Sequence, residues 1–130
     1  MPGEERFNQA VLGLLLVRLD GDGKARVRML PQERHLNAQD VIHGGSILSL
    51  IDVAMFGGAD VLIGEGIGRG LTIELSTQFL GPGHPDRPLD AVVEVTRETG
   101  RMIFTRGMVV QGDVSVATFS GILRKVSPRR

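Results

Sequence analysis

Residues 37–59 read NAQDVIHGGSILSLIDVAMFGGA: a short polar loop ending at His43, a Gly44-Gly45 pair, then a run that is apolar on nearly every helical face. A helix of that kind is normally buried in protein rather than half-solvated. Helical spacing puts Gly45, Ser49, Asp52 and Phe56 on one stripe, while Ile47, Leu48, Leu50, Ile51, Val53, Ala54 and Met55 cover the rest. Burying an unpaired carboxylate is costly, so Asp52 in the middle of this run needs either a partner or a task.

The start of the helix carries its own chemistry. The N–H groups of Gly44 and Gly45 have no intrahelical partners and lie at the positive end of the helix dipole. Without side chains, these two residues let a ligand carbonyl approach the backbone closely. An oxyanion site is assembled in this way, and one such donor is typically worth about 3–4 kcal/mol of barrier. Asp52 has the chemistry of a general base or a nucleophile. At a rise of 1.5 Å per residue it stands about 12 Å along the helix from Gly44, too far for both to touch one carbonyl. If the two cooperate, a second subunit must supply one of them.

On the N-terminal side, residues 11–19 (VLGLLLVRL) read as a strand buried on both faces for most of its length. Asp20-Gly21-Asp22-Gly23 is a turn, and in the following segment Ala25, Val27 and Met29 alternate with Lys24, Arg26 and Arg28. The two segments make a hairpin with a longish loop. DGDG lacks the other ligands of a calcium loop. On the C-terminal side the helix ends between Gly57-Gly58 and Ile63, and residues 64–70 (GEGIGRG) form a flexible connector or a flap beside a ligand entrance. From Leu71 the period becomes two, with Ile73, Leu75, Thr77 and Phe79 opposite Thr72, Glu74, Ser76 and Gln78. Residues 81–88 (GPGHPDRP) form a turn-rich loop, and 89–96, 102–110 and 114–123 are strands completing a meander of four.

These elements describe one α+β domain over residues 1–130, with 1–8 and 126–130 frayed: an antiparallel sheet of five to six strands wrapped around one long helix. One sheet cannot cover such a helix completely, so a second copy is expected. The formal net charge is zero and there is no Trp or Tyr to stack on bases, which argues against a nucleic-acid partner. Without cysteine, disulfides, thiolate nucleophiles and Cys-based metal sites are excluded. The apolar run at 10–17 is too short to span a bilayer and lacks a basic leader, so no membrane association and a cytoplasmic location are expected.

The segment resembles the hotdog-fold acyl-CoA thioesterases, in particular the PaaI-like branch typified by the phenylacetate-pathway thioesterase. That family carries an N-x-x-G-x-x-H-G-G loop followed by a helix bearing L-x-D-x-A. Asn37, His43, Gly44, Gly45, Leu50, Asp52 and Ala54 match it, and the likeness continues through 71–82, the Gly100-Arg101 turn and the later strands. The resemblance implies that the Gly44 N–H polarises a thioester carbonyl while Asp52 of the opposite subunit acts as nucleophile or general base. It further implies that Asn37 positions water or substrate, that His43 orients the loop, that the Thr72 hydroxyl helps hold the attacking water, and that Arg101 meets the CoA phosphates. Gly45, Ile47, Ser49 and Phe56, with Leu50 and Ile51, would line the acyl pocket. No cofactor or metal is implied. The implied partners are acyl-CoA and further copies of the chain, as a dimer or a dimer of dimers. The chain departs from the pattern at Asp40, which stands where the family has glycine, and in the HPDR insertion.

Other tasks remain open to these residues. Asp52 read as a structural acid and His43 read as a simple helix cap would leave a non-catalytic acyl-CoA binder on the same fold. A hotdog enoyl-CoA hydratase or dehydratase is the enzymatic rival. His35 and His84 read as surface residues. Ser46 and Ser49 lie near His43 and Asp52, but no G-x-S-x-G elbow supports a serine triad.

Overall fold

The computed structural model describes residues 6–64 and 69–126, with Arg69 as backbone only. Of the ends expected to fray, 1–8 and 126–130, residues 1–5 and 127–130 lie outside the described residues, as do 65–68 of the expected connector or flap, while Asn8 and Val126 belong to regular elements. Six strands form one antiparallel sheet: β1 (Leu15–Gly21), β2 (Lys24–Met29), β3 (Arg69–Phe79), β4 (Leu89–Glu98), β5 (Met102–Gln111) and β6 (Val114–Val126). A single long helix, α1 (Gly44–Ile63), follows β2, and short helical turns stand at Asn8–Leu12 and Glu33–His35.

The alternation in β2 holds: Ala25, Val27 and Met29 are buried, and Lys24, Arg26 and Arg28 point to the other face. The core faces of β4, β5 and β6 add Leu89, Ala91, Val93, Ile103, Val109, Phe119 and Leu123. Onto this face α1 lays Ile47, Leu50, Ile51, Ala54, Met55 and Ala59, touching all six strands and packing most against β2 and β4. Interior glycines cost a helix about 1 kcal/mol each, yet α1 runs through Gly57-Gly58 to a left-handed cap at Gly64. Burial of each large apolar side chain offsets this by about 1.5–3 kcal/mol, so packing and not propensity holds the helix. Close approach is part of that packing. A Cβ on Gly121 of β6 would lie 2.1 Å from Met55 Sδ, so a larger residue there would force the Met55 side chain to shift.

Three expectations need correction. The strand order is β1-β2-β4-β5-β6-β3, so only β4, β5 and β6 form a meander; β3 returns to pair with β6, and β2 inserts beside β4. The first strand is not buried on both faces. β1 is an edge strand that packs Leu15 against the core but leaves Leu16, Val17 and Leu19 exposed, and residues ahead of it coil into the Asn8–Leu12 turn. Nor is the hairpin loop long: only Asp22 and Gly23 separate β1 from β2, both at positive φ, the geometry that matches the twist of paired strands.

An ion cluster braces the crossover between β2 and β4. Asp90 is buried on the sheet face turned away from α1, and it accepts from Arg26 Nη1 at 2.8 Å and from Arg28 Nε and Nη2 at 2.8 and 2.9 Å. Burial alone would push its pKa up; the Arg28 and Arg26 hydrogen bonds and charges outweigh that and hold it below the usual carboxylate range.

Candidate active site

The loop ahead of α1 is built by its own polar atoms. Asn37 Oδ1 accepts from the N–H groups of Gln39 and Val41, closing the turn, and Asp40 sits at φ +60°. Asp40 thus occupies the left-handed conformation that a glycine would supply, which Asp tolerates better than most residues. The carboxamide oxygen of Asn37 is committed to the loop. His43 caps the helix, its Nδ1 accepting from Gly45 N–H at 2.7 Å. Ser46 and Ile47 N–H groups share the His43 carbonyl. Of the two glycine amides that open the helix, Gly45 is therefore occupied, while Gly44 N–H meets no acceptor among the described residues. It stands beside the ring of Phe79, which lies 3.5 Å from where a Gly44 Cβ would be.

Asp52 is half-buried on the flank of α1 that faces β3, not in the core. Thr72 Oγ1 donates to Asp52 Oδ1 at 2.6 Å. Strict alternation would turn Thr72 away from the helix, opposite Leu75. Instead β3 carries one residue more than β6 between Thr72 and Glu74, and this bulge at Ile73 brings Thr72 round to the helix side. Helix and strand run in opposite senses here: Gly44 lies by Phe79, Asp52 by Thr72, and the Phe56 ring over Gly70, where a Cβ would fall 2.4 Å from it. Only glycine at position 70 leaves room for that ring.

The remaining expected residues are spread more widely. Ser49 Oγ donates back to Gly45 O at 2.8 Å and is spent within the helix. Ile47, Leu50 and Ile51 are buried in the core, so in the single chain they pack against the sheet. Arg101 is exposed in the β4–β5 turn and forms no ion pair among the described residues. His84 is exposed as expected, but His35 is fully buried. The sequence reading also missed Gln111. Buried at the end of β5, it accepts from His84 N–H and donates to the carbonyls of His84 and Arg87, pinning the 81–88 loop. That loop in turn touches the site, because Gly83 O accepts from Ile42 N–H. An open groove of about 580 Å³, lined by Arg26, Val92, Glu94, Arg106 and Met108, lies on the opposite sheet face and holds none of the expected site residues. Among the described residues no three His, Asp or Glu side chains come together to hold a metal ion.

β3 is an edge strand, and Leu71, Ile73 and Phe79 on it, with Leu80 after it, are exposed. Thr77 Oγ1, on the same strand, is buried with no hydrogen-bond partner among the described residues. Asp52, Thr72 and Phe79 thus lie along an uncovered apolar edge.

The model of the Thioesterase superfamily matches residues 39–118. No curated protein sequence matches the chain significantly. Among solved structures it is similar to PA5202 from Pseudomonas aeruginosa, with 26% identity over 94% of this chain and 95% of that one and a TM-score of 0.76. It is similar in fold to the PaaI protein of the E. coli phenylacetic acid degradation operon, at 23% identity over 92% and 83% of the two chains and a TM-score of 0.76. BH2602 from Bacillus halodurans, solved with CoA, is 25% identical over 88% of this chain and 75% of that one, with a TM-score of 0.72. A six-stranded antiparallel sheet carrying one long helix is the hotdog fold that these relatives share. The family match takes in His43, Gly44, all of α1 and the strand bearing Thr72, well over half of the chain, and the protein belongs to the thioesterase superfamily.

Proposed function

We propose that the protein hydrolyses acyl-CoA or aryl-acyl-CoA thioesters at a site shared between two copies of the chain, with Asp52 from one and the Gly44 N–H from the other. The observation that carries this reading is the Thr72–Asp52 hydrogen bond of 2.6 Å on an edge strand, with a Gly44 amide on the same helix that meets no acceptor among the described residues. Eight residues of helix separate the two, about 12 Å, so one chain cannot apply both to one carbonyl.

Antiparallel pairing of β3 with a second β3 removes the difficulty. A two-fold axis between Leu75 and Ser76 sets Thr72 opposite the partner subunit's Phe79. Asp52 then lies by the partner subunit's Gly44, since Gly44 stands by Phe79 and Asp52 by Thr72 in each chain. Such pairing also covers the exposed Leu71, Ile73, Phe79 and Leu80, an apolar edge that otherwise invites uncontrolled association.

In this arrangement the thioester oxygen accepts from Gly44 N–H, whose donation strengthens as the carbonyl becomes an oxyanion. Thr72 occupies Asp52 Oδ1 and leaves Oδ2 for the reaction. Oδ2 either takes the proton of a water that adds to the carbonyl carbon, or adds there itself; in both cases the C–S bond breaks and CoA leaves as the thiolate, to be protonated. In the second case water then hydrolyses the acyl–Asp52 anhydride to release the acid and restore the carboxylate. CoA binding fits the CoA-bound relative, and Arg101 is the residue we assign to its phosphates. The same reading keeps the enzyme cytoplasmic, where CoA thioesters are made. The test is release of free thiol from a panel of aliphatic and aryl CoA thioesters by wild type and Asp52→Asn. Hydrolysis lost with binding retained supports the assignment; equal turnover by both rejects Asp52 as the reacting carboxylate, and binding with no thiol release by either favours a binder.

A further inference from the structure

His35 is completely buried and both of its ring nitrogens are engaged. Nδ1 accepts from Gln32 N–H at 2.9 Å, and Nε2 faces the carbonyl oxygen of Val11 in a short hydrogen bond. An Nδ1 that accepts and an Nε2 that must donate define the neutral Nε2–H tautomer. The ring therefore ties the chain just before β1, where Leu12 enters the core, to the turn at Glu33–His35. Arg34, the charged neighbour, donates from Nε to the same Val11 carbonyl.

The backbone of His35 carries this anchorage to the start of α1. Its carbonyl accepts from His43 N–H at 2.7 Å and from Ser46 Oγ at 3.2 Å. The adjacent Leu36 and Ile42 form a one-pair antiparallel bridge. On its other side His43 is fixed by its carbonyl, which accepts from Ser46 and Ile47 N–H groups. With both flanks of His43 held, the peptide plane between His43 and Gly44 cannot turn, and that plane sets where the Gly44 N–H points.

We propose that His35 is a positioning residue for the Gly44 amide: its buried imidazole locks the segment whose carbonyl aims the oxyanion donor. The proposal rests on the thioesterase reading above for its effect on rate, and on the hydrogen-bond chain alone for its effect on geometry. A donor that acts on the developing oxyanion affects the transition state more than bound substrate, so its misalignment lowers kcat rather than raising KM. The two ring functions are separable. Asn at 35 retains an acceptor near Nδ1 but cannot reach Val11, whereas Gln retains a donor near Nε2 but no acceptor for Gln32.

The experiment compares His35→Asn and His35→Gln with wild type by steady-state hydrolysis of a CoA thioester and by residue-resolved amide hydrogen exchange. Expected in each variant are a fall of about tenfold in kcat, KM within about twofold, and lost protection of the His43 amide while core amides such as Ile103 keep theirs. Wild-type kcat in a folded variant, or a rise in KM alone, overturns the proposal. If neither wild type nor Asp52→Asn releases thiol, the thioesterase reading fails on its own account, and exchange at His43 still decides whether His35 holds the turn. Should both variants fail to fold, imidazole nitrogen NMR of the wild type decides: a protonated Nδ1 on His35 contradicts the hydrogen-bond chain, and a bare Nδ1 with Nε2–H supports it.

Discussion

Thr72 Oγ1 and Asp52 Oδ1 are 2.6 Å apart although one residue sits on an edge strand and the other in the middle of a helix. The bulge at Ile73 makes the contact possible, and it orients a carboxylate that apolar helix neighbours could not hold. Removing the hydroxyl while keeping the shape, in Thr72→Val, is expected to lower kcat by about tenfold, whereas Asp52→Asn lowers it by at least about a hundredfold. Thr72→Ser keeps the donor and most of the activity. Steady-state kinetics on one CoA thioester checks the order; a Val variant as active as wild type would show that the hydroxyl does not serve the carboxylate.

Asp40 tests the loop independently of catalysis. At φ +60° it takes the conformation a glycine would take, and Asn37 closes the same turn. Asp40→Ala is expected to cost about 1 kcal/mol in urea unfolding, because alanine resists the left-handed region more than aspartate. Asp40→Gly is expected within about 0.5 kcal/mol of wild type, relief of strain being offset by the extra freedom of the unfolded chain. Equal stability of the Ala variant and wild type would contradict the left-handed assignment.

Asp90 sets a pH signature of stability. Its carboxyl is held below the usual range by Arg28 and Arg26 despite burial, so the cluster's contribution is present above the ordinary carboxylate pKa and is lost as pH falls through the lowered one. Asp90→Asn is expected to lose about 2 kcal/mol at neutral pH. The gap to wild type should shrink in acid below the ordinary carboxylate pKa of about 3.9. Chemical denaturation across that range measures it; a gap independent of pH would mean that the charge of Asp90 contributes nothing.

The helix and its cap were readable because local signals agree there: His43 ahead of paired glycines, and an apolar run long enough to outweigh Gly57-Gly58. The alternation of β2 was equally plain. Strand order was not, since β3 lies beside β6 and β2 beside β4 through contacts far apart in sequence. The apolar β1 looked like a central strand because hydrophobicity does not distinguish burial by the same chain from exposure at an edge. Thr72 was placed on the wrong face by counting in twos across an unseen bulge. His35 looked like a surface residue in a polar stretch, and only the fold shows its ring enclosed between Val11 and Gln32. The one cue for the tight turn, Asp22-Gly23, was present and is the usual mark of a two-residue hairpin.

The most direct measurement of the shared site is subunit complementation. Gly44→Pro deletes the oxyanion donor at a position where helices accept proline, and His43, at φ −62° and ψ 139°, already has the conformation a following proline requires. Asp52→Asn deletes the carboxylate. Each variant alone is expected to be nearly inactive. Co-expressed in equal amounts they form mixed dimers in which one of the two sites receives both an intact Asp52 and an intact Gly44, so about a quarter of wild-type activity returns. No recovery in a preparation shown to contain mixed dimers would contradict a site built across two chains.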